Sequence, residues 1–482
     1  MLSPARVRRL STDVPLLVRF SKGGLLWMDD LQSFLERYGR EFPGQVCHIY
    51  ERVPRDYFVT AAALEGERLP EPPVLIFHNV EGADMPVVTS LFSSRARIAY
   101  AMGTTPDQLH SHWSAISRAL IPPNEVQEGV SQEVCLLGDE ADARNLPVLA
   151  HFQQDAGRYI TAGVIVAKDP DHGWGNLSFA RLQLKGPRRF GVSLHSRGHL
   201  WDYHRRAEAR GKPLEVAVVI GGHPAFAIGA ASRVAIEVDE YDVVGALLGH
   251  PLRLVRCRTV DLCVPADAEI VLEGVIEPNL HEPEGPFGEY TGYSSGRSTN
   301  NVLTVRAITR RAKPYYLDVT PGHSRDHLYL GRVQKEAEVL RRLRETLPNV
   351  RALHYPISGT HYHCYLSIQK LRPGDARHAA LLLLGLDPYI KLAIVVDDDI
   401  DVTNEAEVMW ALATRMQPSK DTFIVGDLPC NVLDPSSENG LSSKLAIDAT
   451  RPLGWEIERC TIPDDVRESA RVMLAKAMAG RP

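Results

Sequence analysis

The sequence predicts a multidomain α+β and α/β protein with a small N-terminal α/β domain, a central split β-barrel domain and a C-terminal α/β domain. The length of 482 residues allows about three domains of ordinary size. Short β-rich runs at roughly even spacing occupy residues 125–315, and helix and strand patterns alternate beyond about residue 325. We place the domains at residues 1–120, 121–320 and 321–482.

The N-terminal domain is predicted from two helices and a strand. Apolar residues recur at helical spacing on one face of Asp30–Tyr38, and a second helix is predicted at Ser94–Met102. Pro72–Phe77 lies between them and is typical of a short buried strand. The Pro122–Pro123 pair predicts a linker to the next domain.

The central region is predicted to be rich in strands, with two helices at Leu200–Arg210 and Tyr241–Leu248. Many short strands at even spacing are typical of a barrel or a split barrel. The predicted strands are Tyr159–Ala167, Ser178–Leu184, Gly191–His195, Leu214–Ile220, Ala231–Val238, Leu252–Cys257, Ile270–Ile276 and Val302–Thr309.

The C-terminal region alternates helices and strands, a pattern that indicates a parallel α/β layer. The predicted helices are Tyr329–Leu347, Ala376–Leu386 and Glu405–Met416. The predicted strands are His363–Ile368, Ile390–Val396 and Thr422–Val425.

Composition and charge exclude several classes of function. A net charge of −6 gives no reason to expect nucleic acid or an anionic membrane as a partner. The seven cysteines are scattered and form no CxxC pair, which favours reduced thiols in a cytoplasmic protein. No apolar run is long enough to cross a bilayer, and Met1–Arg19 lacks the apolar core of an export signal.

Two carboxylates stand five residues apart in the segment Glu284–Gly292, which reads EGPFGEYTG. Its three glycines and one proline favour a loop over a plain helix or strand. Two carboxylates at a fixed separation suit proton transfer, because one negative charge raises the pKa of its neighbour. A surface turn with two solvated acids is the alternative.

Three residues of the central region form a candidate metal set. Asn176 precedes a predicted strand, and His199 and Glu240 each begin a predicted helix. An amide oxygen, an imidazole and a carboxylate suit Mn²⁺ or Mg²⁺. The alternative for His199 is a capping or core histidine.

Two basic residues are candidates for binding anions. Arg181 can clamp a carboxylate, or it can pair with Glu284 or Glu289, and its alternative is a surface ion pair. Lys391 can reach a phosphate or can be a lysine at a strand edge. We interpret the histidines at 361 and 363 as structural or surface residues. GxSxG, Walker, HExxH and GxGxxG motifs are absent from the sequence.

A longer set of short motifs runs in order through nearly the whole chain. Through these motifs the chain resembles the UbiD family of decarboxylases, which use prenylated FMN. The set is Asn79-Val80, Arg95–Gly103, Glu240-Tyr241-Asp242, Gly245-Ala246-Leu247, Val255-Arg256-Cys257, Asp261-Leu262, Val264-Pro265-Ala266, Glu269–Gly274, Glu284–Gly292, Val396–Arg415 and Ser443–Thr450.

The resemblance implies a central flavin-binding domain and a set of site residues. Asn176, His199 and Glu240 match positions that hold Mn²⁺, or Mg²⁺, against the cofactor phosphate, with K⁺ nearby. Arg181, Glu284 and Glu289 match the catalytic Glu-Arg-Glu network of the family. The positions that match cofactor contacts are Asn176, Leu177, Ser178, Phe179, Ala180, Arg181, Gly198, His199, Glu240 and Lys391.

The resemblance also implies a reaction, a non-oxidative and reversible decarboxylation of a carboxylic acid. The prenylated flavin receives the electrons released as CO₂ leaves, while the protein supplies position, charge and a proton. Glu289 matches the acid that protonates the carbon, and Arg181 and Glu284 match the residues that orient it. Burial and the neighbouring carboxylate are expected to push Glu289 toward its protonated form.

The substrate is predicted from residues that line the pocket in relatives. Gly198 stands where family members that act on cinnamate-like acids can carry a larger polar side chain, and Tyr290 follows the proton donor where others vary. His323 and His327 lie in a segment expected to line the pocket. We therefore predict an aromatic or heteroaromatic acid of the indole, pyrrole or furan type, such as indole-3-carboxylate.

Two alternatives to this function remain at the level of sequence. One is a decarboxylase of an α,β-unsaturated acyclic or cinnamic-type acid, and the other is a flavin-binding assembly subunit without turnover. The resemblance also implies two partners. A separate flavin prenyltransferase supplies the cofactor, and the C-terminal domain is expected to form a homo-oligomer, with a dimer favoured.

Overall fold

The computed structural model describes residues 30–194 and 198–479, so the interpretation of Met1–Arg19 and the end of the predicted strand at His195 lie outside the described residues. Helices and strands fall into N-terminal, central and C-terminal domains. Those of the N-terminal domain are α1 Leu31–Glu41, β1 Val46–Ile49, α2 Phe58–Gly66, β2 Val74–Phe77, β3 Val87–Thr89, α3 Arg95–Ala101 and α4 Leu109–Ile116.

Helix α1 shows why the N-terminal pattern predicts the structure well. Its start is fixed by Asp30, whose side chain accepts a hydrogen bond of 2.7 Å from the backbone N–H of Ser33. The predicted apolar face, which includes Leu31 and Phe34, is fully buried. The predicted strand and second helix are β2 and α3, so these expectations are confirmed within a few residues.

The central domain contains most of the strands. Its elements are β4 Asn124–Val126, β5 Val134–Leu137, β6 Tyr159–Ile160, β7 Val164–Lys168, β8 Gly175–Phe179, β9 Leu182–Gly186, β10 Arg189–Val192, α5 His199–Glu208, β11 Leu214–Ile220, α6 Pro224–Ala230, α7 Glu240–Leu248, β12 Arg253–Arg256, β13 Cys263–Pro265, β14 Ile270–Glu284, β15 Phe287–Gly288, β16 Ser294–Ser295, β17 Ser298–Arg310 and β18 Tyr316–Leu317.

Nine of these strands form one sheet that closes on itself. Its order is β6-β9-β10-β17-β14-β11-β7-β8, with β5 paired to β17. In a flat sheet β8 and β9 would lie about 29 Å apart, at roughly 4.8 Å per strand. Only Ala180 and Arg181 join them, and this link spans at most about 10 Å. The sheet must therefore curl into a split barrel, as predicted, with Arg181 at the seam.

Three predictions for the central domain are wrong in detail. The predicted strand Ser178–Leu184 is two strands, β8 and β9, which turn at Arg181. Tyr159–Ala167 is likewise two strands, β6 and β7. Ala231–Val238 forms no strand and follows the fully buried helix α6, which the sequence pattern did not predict. A short apolar run does not by itself distinguish a buried helix from a strand, and here the apolar residues before Ala231 form strand β11 and then helix α6.

The C-terminal domain is a mixed sheet covered by helices. Its elements are α8 Arg325–Leu330, α9 Arg332–Thr346, β19 Val350–His354, β20 His363–Ile368, α10 Asp375–Leu386, β21 Leu392–Asp397, α11 Glu405–Arg415, α12 Pro418–Asp421, β22 Thr422–Pro429, β23 Leu441–Ala449 and α13 Asp464–Ala479. The sheet order is β19-β20-β21-β23-β22.

The expected parallel layer is correct only for the middle of this sheet. Strands β20, β21 and β23 are parallel, whereas both edge strands, β19 and β22, pair antiparallel with their neighbours. The predicted helix Tyr329–Leu347 is two helices, α8 and α9, separated at Gly331. Strands β19 and β23 were not predicted from the sequence.

Helix α9 ties the N-terminal and C-terminal domains together through one buried carboxylate. Glu336 accepts hydrogen bonds from Arg95 at 2.8 Å and from His110 at 2.9 Å, both in the N-terminal domain. His354 of the C-terminal sheet lies 3.0 Å from its other oxygen. Strand β18 also joins the N-terminal sheet by pairing parallel with β3. Among the described residues, no helix has the length and apolar character needed to cross a membrane.

Candidate active site

Arg181, at the seam of the barrel, holds both glutamates of the EGPFGEYTG segment. Its Nε and Nη2 donate hydrogen bonds of 2.9 and 2.8 Å to the two oxygens of Glu284. Its Nη1 donates to Oε1 of Glu289. The guanidinium also lies over the ring of Phe287, 5.1 Å from its centroid. The structure therefore brings the three predicted catalytic residues into one network.

Glu284 ends the long strand β14 and is completely buried. Besides Arg181, the side chain of Asn300 on β17 donates a hydrogen bond of 2.8 Å to its Oε2. The backbone of Gly191 passes close by, and a Cβ at that position would lie 3.2 Å from Cγ of Glu284. Because a buried carboxylate needs several donors, these contacts fix its position.

The loop that carries Glu289 is held in place by the segment before β6. Strands β15 and β16 form a small hairpin, and the side chain of Asp155 accepts a hydrogen bond of 2.8 Å from the backbone N–H of Gly288. The ring of Phe152 packs against Gly288, where a Cβ would come within 2.3 Å of that ring. Glycine is therefore required directly before Glu289 for this packing.

The surroundings of Glu289 favour its protonated form. Burial raises the pKa of this carboxyl above its ordinary value, and the negative charge of Glu284 adds to the shift. The charge and hydrogen bond of Arg181 oppose the shift without cancelling it. Burial would lower the pKa of Arg181 itself, but its two glutamate partners raise that pKa overall. Arg181 therefore stays positively charged, and Glu289 beside it is an acid whose protonated form is favoured by burial.

The residues of the candidate metal set lie on three elements in contact. Asn176 is on β8, and both α5, which begins at His199, and α7, which begins at Glu240, pack against that strand. The amide nitrogen of Asn176 lies 3.4 Å from each oxygen of Glu240. The backbone N–H of Leu177 donates a hydrogen bond of 2.8 Å to the same carboxylate. Asn176 and Glu240 are both buried.

The donor set fits a divalent cation. Burial raises the pKa of Glu240 to about 7, and the hydrogen bonds from the Leu177 backbone and the Asn176 side chain oppose this shift without cancelling it. In the described residues, no three His, Cys, Asp or Glu side chains are grouped to hold a metal. The candidate set contains only two side chains of those types, and its third donor is an amide. Such oxygen-rich mixed sets suit Mn²⁺ or Mg²⁺.

Glycine makes the approach of β8 to α7 possible. A Cβ at Gly175 would lie 1.9 Å from the side chain of Asp239. Asp239 in turn caps α7 by accepting a hydrogen bond of 2.9 Å from the backbone N–H of Tyr241.

The other predicted cofactor residues lie on the same strand, in the turn after it or at the start of α5. Leu177, Ser178 and Phe179 lie on β8, Ala180 lies in the turn to β9, and Gly198 is the N-cap of α5.

Lys391 is not brought to the other predicted cofactor residues. Its ammonium group pairs with Asp434 at 2.8 Å and donates to the hydroxyl of Ser436 at 2.5 Å. It also lies 5.8 Å from the centroid of the Tyr362 ring. All these partners belong to the C-terminal domain, and no bond from Lys391 to the barrel is present in the described part of the chain. Its role in cofactor binding stays a prediction.

The predicted substrate residues separate into two places. The ring of Tyr290 lies 6.3 Å from that of His327, centroid to centroid, whereas His323 bonds at 2.8 Å to the carbonyl oxygen of Ile357. Burial lowers the pKa of His327 to about 4, so it is neutral near pH 7. His361, which we interpreted as structural or at the surface, has its ring centroid 4.8 Å from that of Tyr290.

Sequence reasoning missed the partners of Tyr290 in the C-terminal domain. The hydroxyl of Tyr362 lies 3.3 Å from that of Tyr290. The only available signal was the cluster His361-Tyr362-His363, which lies about 70 residues away along the chain. The fold of the two domains, which sequence spacing does not reveal, brings this cluster to Tyr290.

Comparison with known families gives independent evidence. Three models of the 3-octaprenyl-4-hydroxybenzoate carboxy-lyase match the chain: its N-terminal domain at residues 40–116, its Rift-related domain at 124–324 and its C-terminal domain at 328–449. The chain belongs to the UbiD family. UbiD proteins of this class are carboxy-lyases, and the predicted three-domain fold is confirmed.

Relatives in the UbiD family resemble the chain along almost its whole length. The anhydromevalonate phosphate decarboxylase of Methanothermobacter thermautotrophicus is 32% identical over 88% of this chain and 97% of its own. The UbiD-class enzyme HmfF of Pelotomaculum thermopropionicum, solved in complex with FMN, is 37% identical, with a TM-score of 0.87 over 90% of this chain and 98% of its own. An evolved dimeric form of HmfF has been solved with prFMN; it is 35% identical, with a TM-score of 0.83 over 91% of this chain and 98% of its own.

A third relative acts on an aromatic acid. The vanillic acid decarboxylase of Sedimentibacter hydroxybenzoicus, solved in an open form, is 30% identical. Its TM-score is 0.83, over 94% of this chain and 99% of its own. This UbiD-family chain is therefore a carboxy-lyase, that is, a decarboxylase.

Proposed function

We propose that this protein decarboxylates an aromatic or heteroaromatic carboxylic acid of the indole, pyrrole or furan type, reversibly and without net oxidation. The observation that carries the proposal is the buried network in which Arg181 holds Glu284 with two hydrogen bonds and contacts Glu289 with a third. Burial raises the pKa of Glu289, which is the direction that suits an acid able to deliver a proton. A binding protein has no use for such an acid.

Prenylated FMN and a divalent cation are the proposed cofactors. Asn176, His199 and Glu240 would hold Mn²⁺ or Mg²⁺, with K⁺ nearby, against the cofactor phosphate. The buried contact between the Asn176 amide and the Glu240 carboxylate, and the position of His199 at the start of a helix packed on the same strand, support this. When bound, the prenylated flavin supplies an electron sink for the electrons released as CO₂ leaves. The structures of HmfF with FMN and prFMN support the flavin part of this proposal.

The protein groups then have separate tasks. The bond between the substrate carbon and its carboxylate breaks, CO₂ departs, and Glu289 transfers its proton to that carbon. Arg181 stabilises the Glu289 carboxylate that remains, and solvent returns the proton. Glu284 fixes the orientation of the Arg181 guanidinium by accepting two hydrogen bonds from it. A positioned general acid contributes about 10²- to 10⁴-fold to a rate.

The preference for an aromatic acid rests on the residues near Glu289. Tyr290 directly follows the proton donor, and the rings of neutral His327 and His361 lie near it, so that ring faces and uncharged nitrogens are grouped there. The vanillic acid decarboxylase among the relatives supports this choice. An α,β-unsaturated acyclic or cinnamic-type acid is the second candidate, because another relative acts on anhydromevalonate phosphate.

We further propose that the protein works in the cytoplasm as a homo-oligomer, with a dimer favoured. Helix α13 exposes Val466, Met473 and Leu474, and Ile424 on the edge strand β22 is also exposed. Exposed apolar groups on one domain favour a contact between copies. The evolved dimeric form of HmfF supports a dimer in this family. A flavin prenyltransferase is the proposed supplier of the cofactor.

The test is to co-express the chain with a flavin prenyltransferase and to identify what it binds. We expect the released ligand to have the mass and absorbance of prenylated FMN, with about one Mn²⁺ per chain by elemental analysis. A panel of indole, pyrrole, furan and cinnamic acids then defines the substrate. Plain FMN or no flavin, where HmfF loads under the same conditions, would contradict the cofactor. Turnover of only acyclic or cinnamic acids would favour the second candidate.

A further inference from the structure

Ser295 lies on the same side of the β15–β16 hairpin as the carboxyl of Glu289. In this hairpin Phe287 pairs directly with Ser295. The backbone N–H of Glu289 donates a hydrogen bond of 2.9 Å to the carbonyl oxygen of Tyr293, so the two chain segments stay side by side up to the proposed acid. Because side chains alternate along an extended chain, those of Phe287, Glu289 and Ser295 project to one side.

Arg181 confirms which side of the hairpin this is. Its guanidinium lies 5.1 Å from the centroid of the Phe287 ring and contacts the carboxyl of Glu289. The hydroxyl of Ser295 donates a hydrogen bond of 3.1 Å to the carbonyl oxygen of Phe287. The same hydroxyl is hydrogen-bonded to the Glu289 carboxyl, and this contact lowers the pKa of the acid. Rotation of one hydroxyl therefore connects two acceptors.

Ser295 also lies where the buried acid approaches solvent. Glu289 is only 8% exposed. Ser295 is half-buried, and both of its neighbours in the chain, Ser294 and Gly296, are exposed. The serine hydroxyl is thus placed between a buried carboxyl and an exposed stretch of chain.

A general acid that gives a proton to carbon in every turnover needs a supply of protons. In the described part of the chain, the side chains that hydrogen-bond to the Glu289 carboxyl are those of Arg181 and Ser295. A guanidinium does not release its proton in a protein, whereas a hydroxyl donates one proton while its oxygen accepts another. The hydroxyl of the next residue, Tyr290, lies 3.3 Å from that of Tyr362 instead, and burial raises its pKa.

We propose that Ser295 relays protons from solvent to Glu289 between turnovers. The proposal rests on the proposed function, in which Glu289 loses its proton to the substrate carbon. In the relay, the O–H bond of the serine breaks as a new O–H bond forms on the carboxylate, and the serine oxygen takes up a proton from solvent in the same step. The net change is one proton moved from solvent to Glu289. Ser295 acts only through that acid.

Ser294, the residue before Ser295, provides a matched control. It pairs with Gly288 in the hairpin, so its side chain projects to the opposite side. Its exposed hydroxyl donates a hydrogen bond of 3.4 Å to the carbonyl oxygen of Ser295. The variants are Ser295→Ala, which removes the relay hydroxyl, Ser295→Thr, which keeps it, and Ser294→Ala.

The first test compares one turnover with many turnovers of enzyme loaded with prenylated FMN. The first turnover uses the proton already on Glu289, so Ser295→Ala should keep close to the wild-type rate in a single-turnover experiment. Its steady-state kcat should fall by about 10-fold or more, because proton transfer by a positioned group contributes about 10²- to 10⁴-fold and water replaces it in part. Ser295→Thr should recover most of kcat, and Ser294→Ala should match the wild type. An equal loss in both experiments would show a structural role and overturn the relay.

The pH profile checks the hydrogen bond on which the relay depends. Arg181, Ser295 and Glu284 act on the pKa of the Glu289 carboxyl, the first two lowering it and Glu284 raising it. Ser295→Ala should therefore raise that pKa, so the acid stays protonated longer and the alkaline limb of kcat/KM moves to higher pH. A limb that stays in place or moves to lower pH would contradict the hydrogen bond.

Infrared spectroscopy tests the relay without substrate. The carbonyl stretch of protonated Glu289, identified by its loss in Glu289→Gln, shifts when a deuteron replaces the proton. After rapid mixing with D₂O, this exchange should be slower in Ser295→Ala than in the wild type, Ser295→Thr and Ser294→Ala. Equal exchange in all four proteins would overturn the proposal. Slower exchange in Ser295→Ala, together with a loaded wild type that turns over no acid, would keep the relay and contradict the proposed function.

Discussion

Arg181 and Glu284 form a two-point ion pair, in which Nε and Nη2 of one side chain donate to both oxygens of the other at 2.9 and 2.8 Å. The pair joins the seam of the barrel to the end of β14, two places about 100 residues apart in the chain. Its geometry leaves Nη1 of Arg181 free to contact Glu289. The proposed acid is thus oriented by a fixed cation.

Replacing Arg181 with lysine should impair turnover while keeping the positive charge. An ammonium group cannot donate two parallel bonds to Glu284 and a third to Glu289. We expect kcat to fall by about 10- to 100-fold, because hydrogen bonds to a buried carboxylate are lost. The measurement is kcat at equal cofactor content. Arg189→Lys, whose partner Glu282 is partly exposed, should keep the wild-type kcat. Equal rates for both variants would remove Arg181 from the mechanism.

The pH dependence should report the protonation of Glu289. Because burial raises its pKa, the acid is protonated at low pH, and kcat/KM should fall as the pH rises through that pKa. Glu284→Gln removes a negative charge that raises the pKa of Glu289, so the alkaline limb should move to lower pH. The position of the limb is informative even when the variant is slow. A limb that stays in place or moves upward would contradict the assignment.

Gly288→Ala should displace Glu289 while leaving its carboxyl group unchanged. The added Cβ would lie 2.3 Å from the ring of Phe152, and overpacking of this kind costs about 1 to 3 kcal/mol. We expect lower kcat and a lower Tm. Phe152→Leu should restore part of both in the double variant, because it removes the clashing ring. If the two substitutions add independently, the Phe152 contact does not position the loop.

Much of the site could be predicted because it lies in short segments. The carboxylates of Glu284 and Glu289 are five residues apart, and Asn176 and Arg181 share another short stretch. The apolar face of α1 likewise follows from local spacing, which periodicity reveals. The resemblance to the UbiD family supplied the connection between these segments, and the structure brings them together.

The remaining features depend on contacts between distant segments. The neighbours of Tyr290 belong to the C-terminal domain, and no spacing rule connects them to the barrel. Lys391 matched a cofactor position in sequence, yet it pairs with Asp434 in this structure. The buried helix α6 was missed because all of its residues are buried, so it shows no amphipathic pattern.

The central claim is that Glu289 delivers the proton, and Glu289→Gln tests it most directly. The amide keeps the size of the side chain and removes the acid. At matched prenylated-FMN content, confirmed by absorbance and mass, we expect turnover to fall by about 100-fold or more, since general acid catalysis is lost. Glu237→Gln, an exposed glutamate of the same domain, is the control and should behave as wild type. Full turnover by loaded Glu289→Gln would contradict the account.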